Sequence, residues 1–220
     1  MANSTTFISL DTETGGLYPA DNPLLQVGVG IYRLDNELLT YDVLNETELT
    51  LKPSQFPDRK IEEQALSTNH LDVAQLESAG YTAQAVSDVL VSLIQQYKPG
   101  TILGQNLPFD LGFVAAYLTP ELNAEINRLR RKDLIDVTMD YNFVSWDDEA
   151  NYPSRSLGKV APRLGVTNED AHTALSDARA TFRCMVAMFK QFRKVNRILQ
   201  LVKCSKLTFN QLNSLSKEIV

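Results

Sequence analysis

The run Thr5-Thr-Phe-Ile-Ser-Leu10 is rich in apolar and β-branched residues, and it carries straight into Asp11-Thr12-Glu13-Thr14. Side chains at i and i+2 of a strand leave the same face, so a strand that persists through this stretch sets two carboxylates side by side. Like charges so placed repel. They are tolerated if a cation lies between them, if one is protonated, or if Gly15-Gly16 ends the strand and both acids are solvated. Whatever the chain builds around its first strand has to meet that constraint in one of these three ways.

Leu24–Leu34 and Glu37–Lys52 continue the β pattern, with turn signals at Asp21-Asn22-Pro23 and Asp35-Asn36, and three strands in succession predict an antiparallel meander. The period then changes. Val86, Val89, Leu90, Leu93, Ile94 and Tyr97 recur at helical spacing, Lys98-Pro99-Gly100 stops that helix, and Thr101–Leu103 reads as a short strand. Leu175, Ala178, Phe182, Met185, Phe189, Phe192, Val195, Leu199 and Val202 trace one apolar face of a long C-terminal helix that should pack on the sheet. The order βββαβα predicts an α/β fold, and 220 residues that are 44% hydrophobic suffice for one core. We expect one domain over residues 1–206 and a short appended helix over 207–220. There Thr208 and Gln211 have the form of a capping box, Leu207 and Leu212 that of a hydrophobic staple, and Leu212, Leu215 and Ile219 make one apolar stripe. Residues 147–153 are the most loop-like interior stretch.

No 18-residue apolar run occurs, and MANSTT has neither the basic nor the apolar region of a signal peptide, so a cytoplasmic protein with no membrane partner is expected. Cys184 and Cys204 stand alone and read as reduced thiols. The net charge of −6 argues at first against a polyanionic partner. It is unevenly spread, with 15 acids and 5 bases in residues 1–110 against 12 acids and 16 bases in 111–220. Residues 178–217 hold Arg179, Arg183, Lys190, Arg193, Lys194, Arg197, Lys203, Lys206 and Lys217 and no acid, which suits either a phosphate backbone or the solvated back of a helix.

Two further signals carry chemistry. In Gly104-Gln-Asn-Leu-Pro-Phe-Asp110, Asn106 is placed as an N-cap and Pro108 in a first turn, which puts Asp110 where a helix dipole welcomes a carboxylate, at the end of a central strand. In His172-Thr-Ala-Leu-Ser-Asp177, five residues of regular helix turn through ~500° and leave the two side chains ~140° apart. His172 is therefore expected before or at the helix start and Asp177 within it. His70, in Ser67-Thr-Asn-His-Leu71, has no such company and is assigned no role.

Taken in order, Asp11-x-Glu13-Thr14, Asn106-x-x-Phe109-Asp110 and His172-x-x-x-x-Asp177 resemble the three exonuclease motifs of the DEDD superfamily, over about residues 5–190. The histidine five residues before the last aspartate resembles the DnaQ-like (DEDDh) branch, which includes polymerase proofreading subunits, ribonuclease T and oligoribonuclease. The resemblance implies a ribonuclease H-like fold, a mixed five-stranded sheet with three antiparallel strands first, flanked by helices. It implies two divalent ions, Mg²⁺ or Mn²⁺, held by Asp11, Glu13, Asp110 and Asp177, with His172 as general base. It further implies that Thr14, Gly15, Leu17, Asn106 and Phe109 grip the terminal nucleotide. The first motif reads Thr-Gly-Gly-Leu where Thr-Thr-Gly-Leu is frequent, and the second Gly-Gln-Asn where Gly-His-Asn is frequent; neither departure touches an implied ligand. The function implied is a 3′→5′ exonuclease that releases nucleoside 5′-monophosphates from single-stranded or frayed ends. DNA is favoured because Asp-Thr-Glu-Thr-Gly resembles the polymerase-associated members. Partners would be single-stranded DNA or RNA 3′ ends, with a polymerase or a second copy in addition. The alternatives are an exoribonuclease of the ribonuclease T or oligoribonuclease type, a non-catalytic module binding nucleic acid or a polymerase, and, more remotely, a phosphatase of small nucleotides.

Overall fold

β1 (Ser4–Thr14) does not stop at the acids. In the computed structural model, which describes residues 3–145 and 153–204, it runs antiparallel to β2 (Leu24–Asp35) from Ser4 opposite Asp35 to Thr14 opposite Leu24. Asp11 lies across from Gly28 and Glu13 from Gln26. On its other edge β1 runs parallel to β4 (Thr101–Gly104), but only from Phe7 to Ser9, so the acids project beyond that partner. β3 (Tyr41–Thr50) pairs antiparallel with β2, and β5 (Arg130–Asp133) parallel with β4. The sheet order is β3-β2-β1-β4-β5, the ribonuclease H-like arrangement with its antiparallel meander first.

Helices cover both faces. Ile8, Leu10, Val27, Val29 and Ile31 meet α3 (Ala83–Tyr97), α4 (Leu107–Tyr117) and α5 (Pro120–Asn127) through Val86, Leu90, Ile94, Phe113 and Leu122. Phe7, Tyr32, Leu34 and Leu103 meet α6 (Leu134–Ser145), α7 (Leu157–Arg163) and α8 (Ala174–Cys204) through Leu134, Val160, Phe182 and Met185. Phe182 stacks on Tyr32 at 4.1 Å and meets Tyr41 edge-on at 5.0 Å. Through Ala178, Phe182, Met185, Phe189 and Phe192, α8 is thus seated by the apolar face read from its sequence.

At its N-terminus α8 comes down onto the strands with almost nothing between. Ser9 donates its hydroxyl to the Ala178 carbonyl at 2.7 Å, while the Ala174 and Leu175 amides donate to the side chains of Gln26 and Glu48, each at 3.0 Å. Gly28 lies directly beneath, where a Cβ would fall inside van der Waals contact with the backbone of Ala174 and Leu175.

Several boundaries differ from the sequence reading. β3 begins at Tyr41 rather than Glu37, because Asp35 caps a turn by accepting the Glu37 and Leu38 amides and Leu39 takes a φ of 53°. β5 is an edge strand of sequence Arg-Arg-Lys-Asp with no apolar residue, so it has no period-2 pattern to find. α1 (Glu63–Asn69) and α2 (Val73–Ala79), seven residues each, escaped notice too. Two of the bases expected on a phosphate track have other work: Arg179 forms a two-pronged ion pair with Glu46, and Arg193 donates to the carbonyls of Asn36 and Glu37, pinning the outer hairpin. The Cys184 thiol is buried and its pKa pushed up to about 12, as suits an inert thiol. No helix among the described residues is long and apolar enough to cross a membrane. The expected final helix at 207–220, and the loop expected at 147–153 apart from Pro153, lie outside the described residues.

The contact at Gly28 is backbone on backbone and has no flexible side chain to yield. Gly28→Ala should cost about 1–3 kcal/mol, as overpacking of a filled site does. That lowers the melting temperature by roughly 2–4 °C per kcal/mol in a chain of this size. Thermal unfolding of the variant at fixed pH checks it, and an unchanged melting point would show that α8 can lift off the sheet freely.

Candidate active site

Because β1 persists through Glu13, its paired acids share a face, and that face is the one α8 covers. Asp177, in the first turn of α8, completes the group: Asp11, Glu13 and Asp177 each offer a carboxylate oxygen, and the three atoms lie within 4.8 Å of one another. Among the described residues this is the one such cluster of potential metal ligands. Burial, then the Asp110, Asp177 and Glu13 charges, hold the Asp11 carboxyl well above the usual range. Burial, then Asp177 and Asp110, push Glu13 up to about 8. Of the three ways to tolerate the pair, simple solvation does not describe this site.

Asp110 approaches the same strand end from the first turn of α4, with Pro108 beside it as read from the sequence. It is buried, and burial pushes its pKa up to about 7 even though the Thr12 hydroxyl donates to Oδ1 at 2.7 Å. Its other oxygen, Oδ2, is buried without a hydrogen-bond partner. An orphaned buried carboxylate oxygen beside an all-carboxylate trio fits a hard divalent cation, for which oxygen donors are the natural ligands. Mg²⁺ and Mn²⁺ both meet that description.

Asn106 occupies the N-cap position but does not cap. Its backbone is left-handed (φ 63°, ψ 48°) and its side chain makes no cap hydrogen bond. Asp133 at the end of β5 caps instead, accepting the Asn106 and Leu107 amides at 3.1 and 2.8 Å as well as the Ile135 amide at 2.9 Å. His172 lies two residues before α8, as the spacing predicted, exposed and with a φ of 70°. Asp177 Oδ1 accepts from the His172 amide at 3.4 Å and from the Asn168 side chain at 2.6 Å.

Beside the acids opens a cleft of about 250 Å³ whose lining includes Glu13, Thr14, Leu17, Thr68, Asn69 and Phe109. Leu17, part of that lining, is 67% exposed. Gly15 lies apart from the cleft wall. It is buried, exchanges backbone hydrogen bonds with Pro23 and Glu62, and has no room for a side chain against Pro23 and Ile61. His70 is exposed, at the left-handed C-cap of α1, while the Asn69 before it is buried and donates to the Thr14 carbonyl at 3.3 Å. Asn69, Asp133, Asn168, Gln26 and Glu48 were all missed by the sequence reading. Only Asp133, a lone acid closing a basic tetrapeptide, left a local trace.

Residues 8–185 match the RNase_T family, whose members are described as exonucleases. The 3′-5′ exonuclease DinG of Staphylococcus aureus (strain USA300) is 25% identical over 190 residues, which are 86% of this chain and 19% of DinG. The chain thus spans about a fifth of the length of the curated relatives it matches. Among solved structures, Exonuclease I of E. coli in complex with a dT13 oligonucleotide superposes with a TM-score of 0.68 at 22% identity, covering 89% of this chain and 43% of that one. A zinc-bound complex of the same enzyme with single-stranded DNA gives 0.66 at 22% identity, over 90% and 43%.

A carboxyl whose pKa is raised by folding binds its proton more tightly in the folded chain than in the unfolded one. Its contribution to stability is complete below the unfolded value near 4 and is lost as pH rises through the folded value. With Glu13 at about 8 and Asp110 at about 7, the chelator-treated protein should melt at progressively lower temperature between about pH 5 and pH 8. Mn²⁺ should restore the loss, and Asp11→Asn should flatten the profile. A metal-free melting point that stays level across that range would show that the acids do not strain the fold.

Proposed function

The chain belongs to the RNase_T exonuclease family of the DEDD superfamily, and from that premise we propose that it is a metal-dependent 3′→5′ exonuclease acting on single-stranded or frayed DNA ends and releasing nucleoside 5′-monophosphates. The observation that carries the reading is the carboxylate trio, with its three ligand oxygens within 4.8 Å of one another, and the partnerless Asp110 oxygen beside it. Asp11, Glu13 and Asp177 would hold one divalent ion and Asp11 with Asp110 a second, within an exonuclease domain of residues 1–206. Bound there, Mg²⁺ or Mn²⁺ supplies charge stabilisation to the attacking and leaving oxygens of a phosphodiester displacement.

The chain's own groups do the rest. His172 stands exposed just ahead of Asp177, on a backbone tied to that carboxylate, and its imidazole takes the proton of the attacking water. Leu17 and Phe109 offer apolar surface on the cleft lining to the terminal base and Thr14 a polar group to its sugar and phosphate; Asn106, outside that lining at the start of α4, would reach the nucleotide from beyond it. Gly15 acts by allowing the tight packing that holds Leu17 at the cleft. DNA is favoured by the likeness of Asp-Thr-Glu-Thr-Gly to polymerase-associated members, and by the dT13 oligonucleotide with which E. coli Exonuclease I was solved. Choice of sugar rests on contacts to the 2′-OH.

The test is a panel of 5′-labelled DNA and RNA oligomers with Mg²⁺, Mn²⁺ or chelator. The proposed enzyme shortens DNA from its 3′ end with either metal and leaves it intact in chelator. Asp11→Asn should abolish turnover and weaken Mn²⁺ binding. His172→Ala should lower turnover by about 10²–10⁴-fold with Mn²⁺ affinity nearly unchanged. Cleavage of RNA alone would make the protein an exoribonuclease, and cleavage of neither a binding module.

A further inference from the structure

Asp177 is the ligand whose position is least secured by secondary structure. Asp11 and Glu13 are fixed by strand pairing on β1, whereas Asp177 sits in the first turn of a helix with two carboxylates near enough to repel it. A free aspartate there would rotate towards solvent. What prevents this is a bridge from the loop ahead of α8: the Asn168 amide nitrogen donates to Asp177 Oδ1 at 2.6 Å, and the Asn168 amide oxygen accepts the Ser176 hydroxyl at 2.7 Å. The two bonds key the amide, because the flipped orientation would set its oxygen against the carboxylate. The His172 amide donates to the same Oδ1 at 3.4 Å, so residues 168–172 are strapped onto one oxygen of Asp177. That strap also holds His172 in a left-handed backbone, φ 70°, which a residue other than glycine keeps only where its surroundings fix it.

We propose that Asn168 is a positioning residue that orients Asp177 for metal and, through the same carboxylate, places His172. It rests on the reading of the site as a metal-dependent nuclease. Hydrogen-bonding partners behind a metal ligand hold it in its productive orientation, and their removal ordinarily costs 10–100-fold in metal affinity or activity. Ser176 acts one step further back, by keeping the Asn168 amide the right way round.

The experiment compares the full-length wild type, Asn168→Ala, Ser176→Ala and the double variant by calorimetric Mn²⁺ titration, by kcat and KM on a 5′-labelled oligomer, and by melting. We expect Asn168→Ala to weaken Mn²⁺ binding and to lower kcat by about 10–100-fold each, with KM within about twofold. Ser176→Ala should move both in the same direction by less, and the double variant should be no worse than Asn168→Ala alone, since one interaction is being removed twice. Wild-type Mn²⁺ affinity in Asn168→Ala, or losses in the two single variants that simply add, would overturn the proposal. So would a lowered melting point with unchanged affinity in the folded protein. A wild type that neither binds Mn²⁺ nor cleaves would instead overturn the nuclease reading on which the proposal stands.

Discussion

Mutual repulsion among carboxylates at the end of β1 is the constraint to which the functional end of the molecule is built. Asp11, Glu13 and Asp177 bring their oxygens within 4.8 Å of one another, and Asp110 adds a fourth charge from the far side of the strand. A loose arrangement would relieve the strain by letting the side chains swing away. This one cannot relax so easily. β1 is paired to β2 through Thr14, α8 is held on the sheet by Ser9 and by the bare backbone at Gly28, and Thr12 and Asn168 each take one oxygen of an acid. The rigidity of the scaffold keeps the acids close and buried, and their raised carboxyl pKa values follow from that burial and proximity.

Each core brings one acid to the end of β1. The core formed with α3, α4 and α5 brings Asp110 to the strand end, and the core formed with α6, α7 and α8 brings Asp177. β4 pairs with β1 only as far as Ser9, which leaves the acid-bearing end of β1 with one edge unpaired. Ligand sites of open α/β sheets lie beyond the carboxyl ends of the strands.

What could be read from the sequence is what has a period or a short spacing. The i, i+2 placement of Asp11 and Glu13, the helix carrying Ala178, Phe182 and Met185 on its buried face, and the placing of His172 outside a helix that contains Asp177 all follow from strand and helix geometry. The rest depends on partners far apart in the chain. The cap assigned to Asn106 is supplied by Asp133 from a strand with no apolar residue, and the start of α8 is capped by Gln26 and Glu48 from two other strands. Arg179 and Arg193 looked like members of a phosphate track because a charge run does not reveal its partners, and both are engaged by the β2–β3 hairpin. Asn168 lay in a polar loop with nothing to distinguish it.

The acids come from positions 11, 13, 110 and 177, and the last belongs to the helix that closes the second core. During synthesis on the ribosome, a nascent chain that has laid down all five strands still has a sheet without its third cluster ligand. The acid cluster can form only when α8 has emerged and docked over Gly28. The cluster is therefore a product of tertiary docking and not of the sheet alone, and a chain whose α8 is unfolded keeps its strands but not the three acids together.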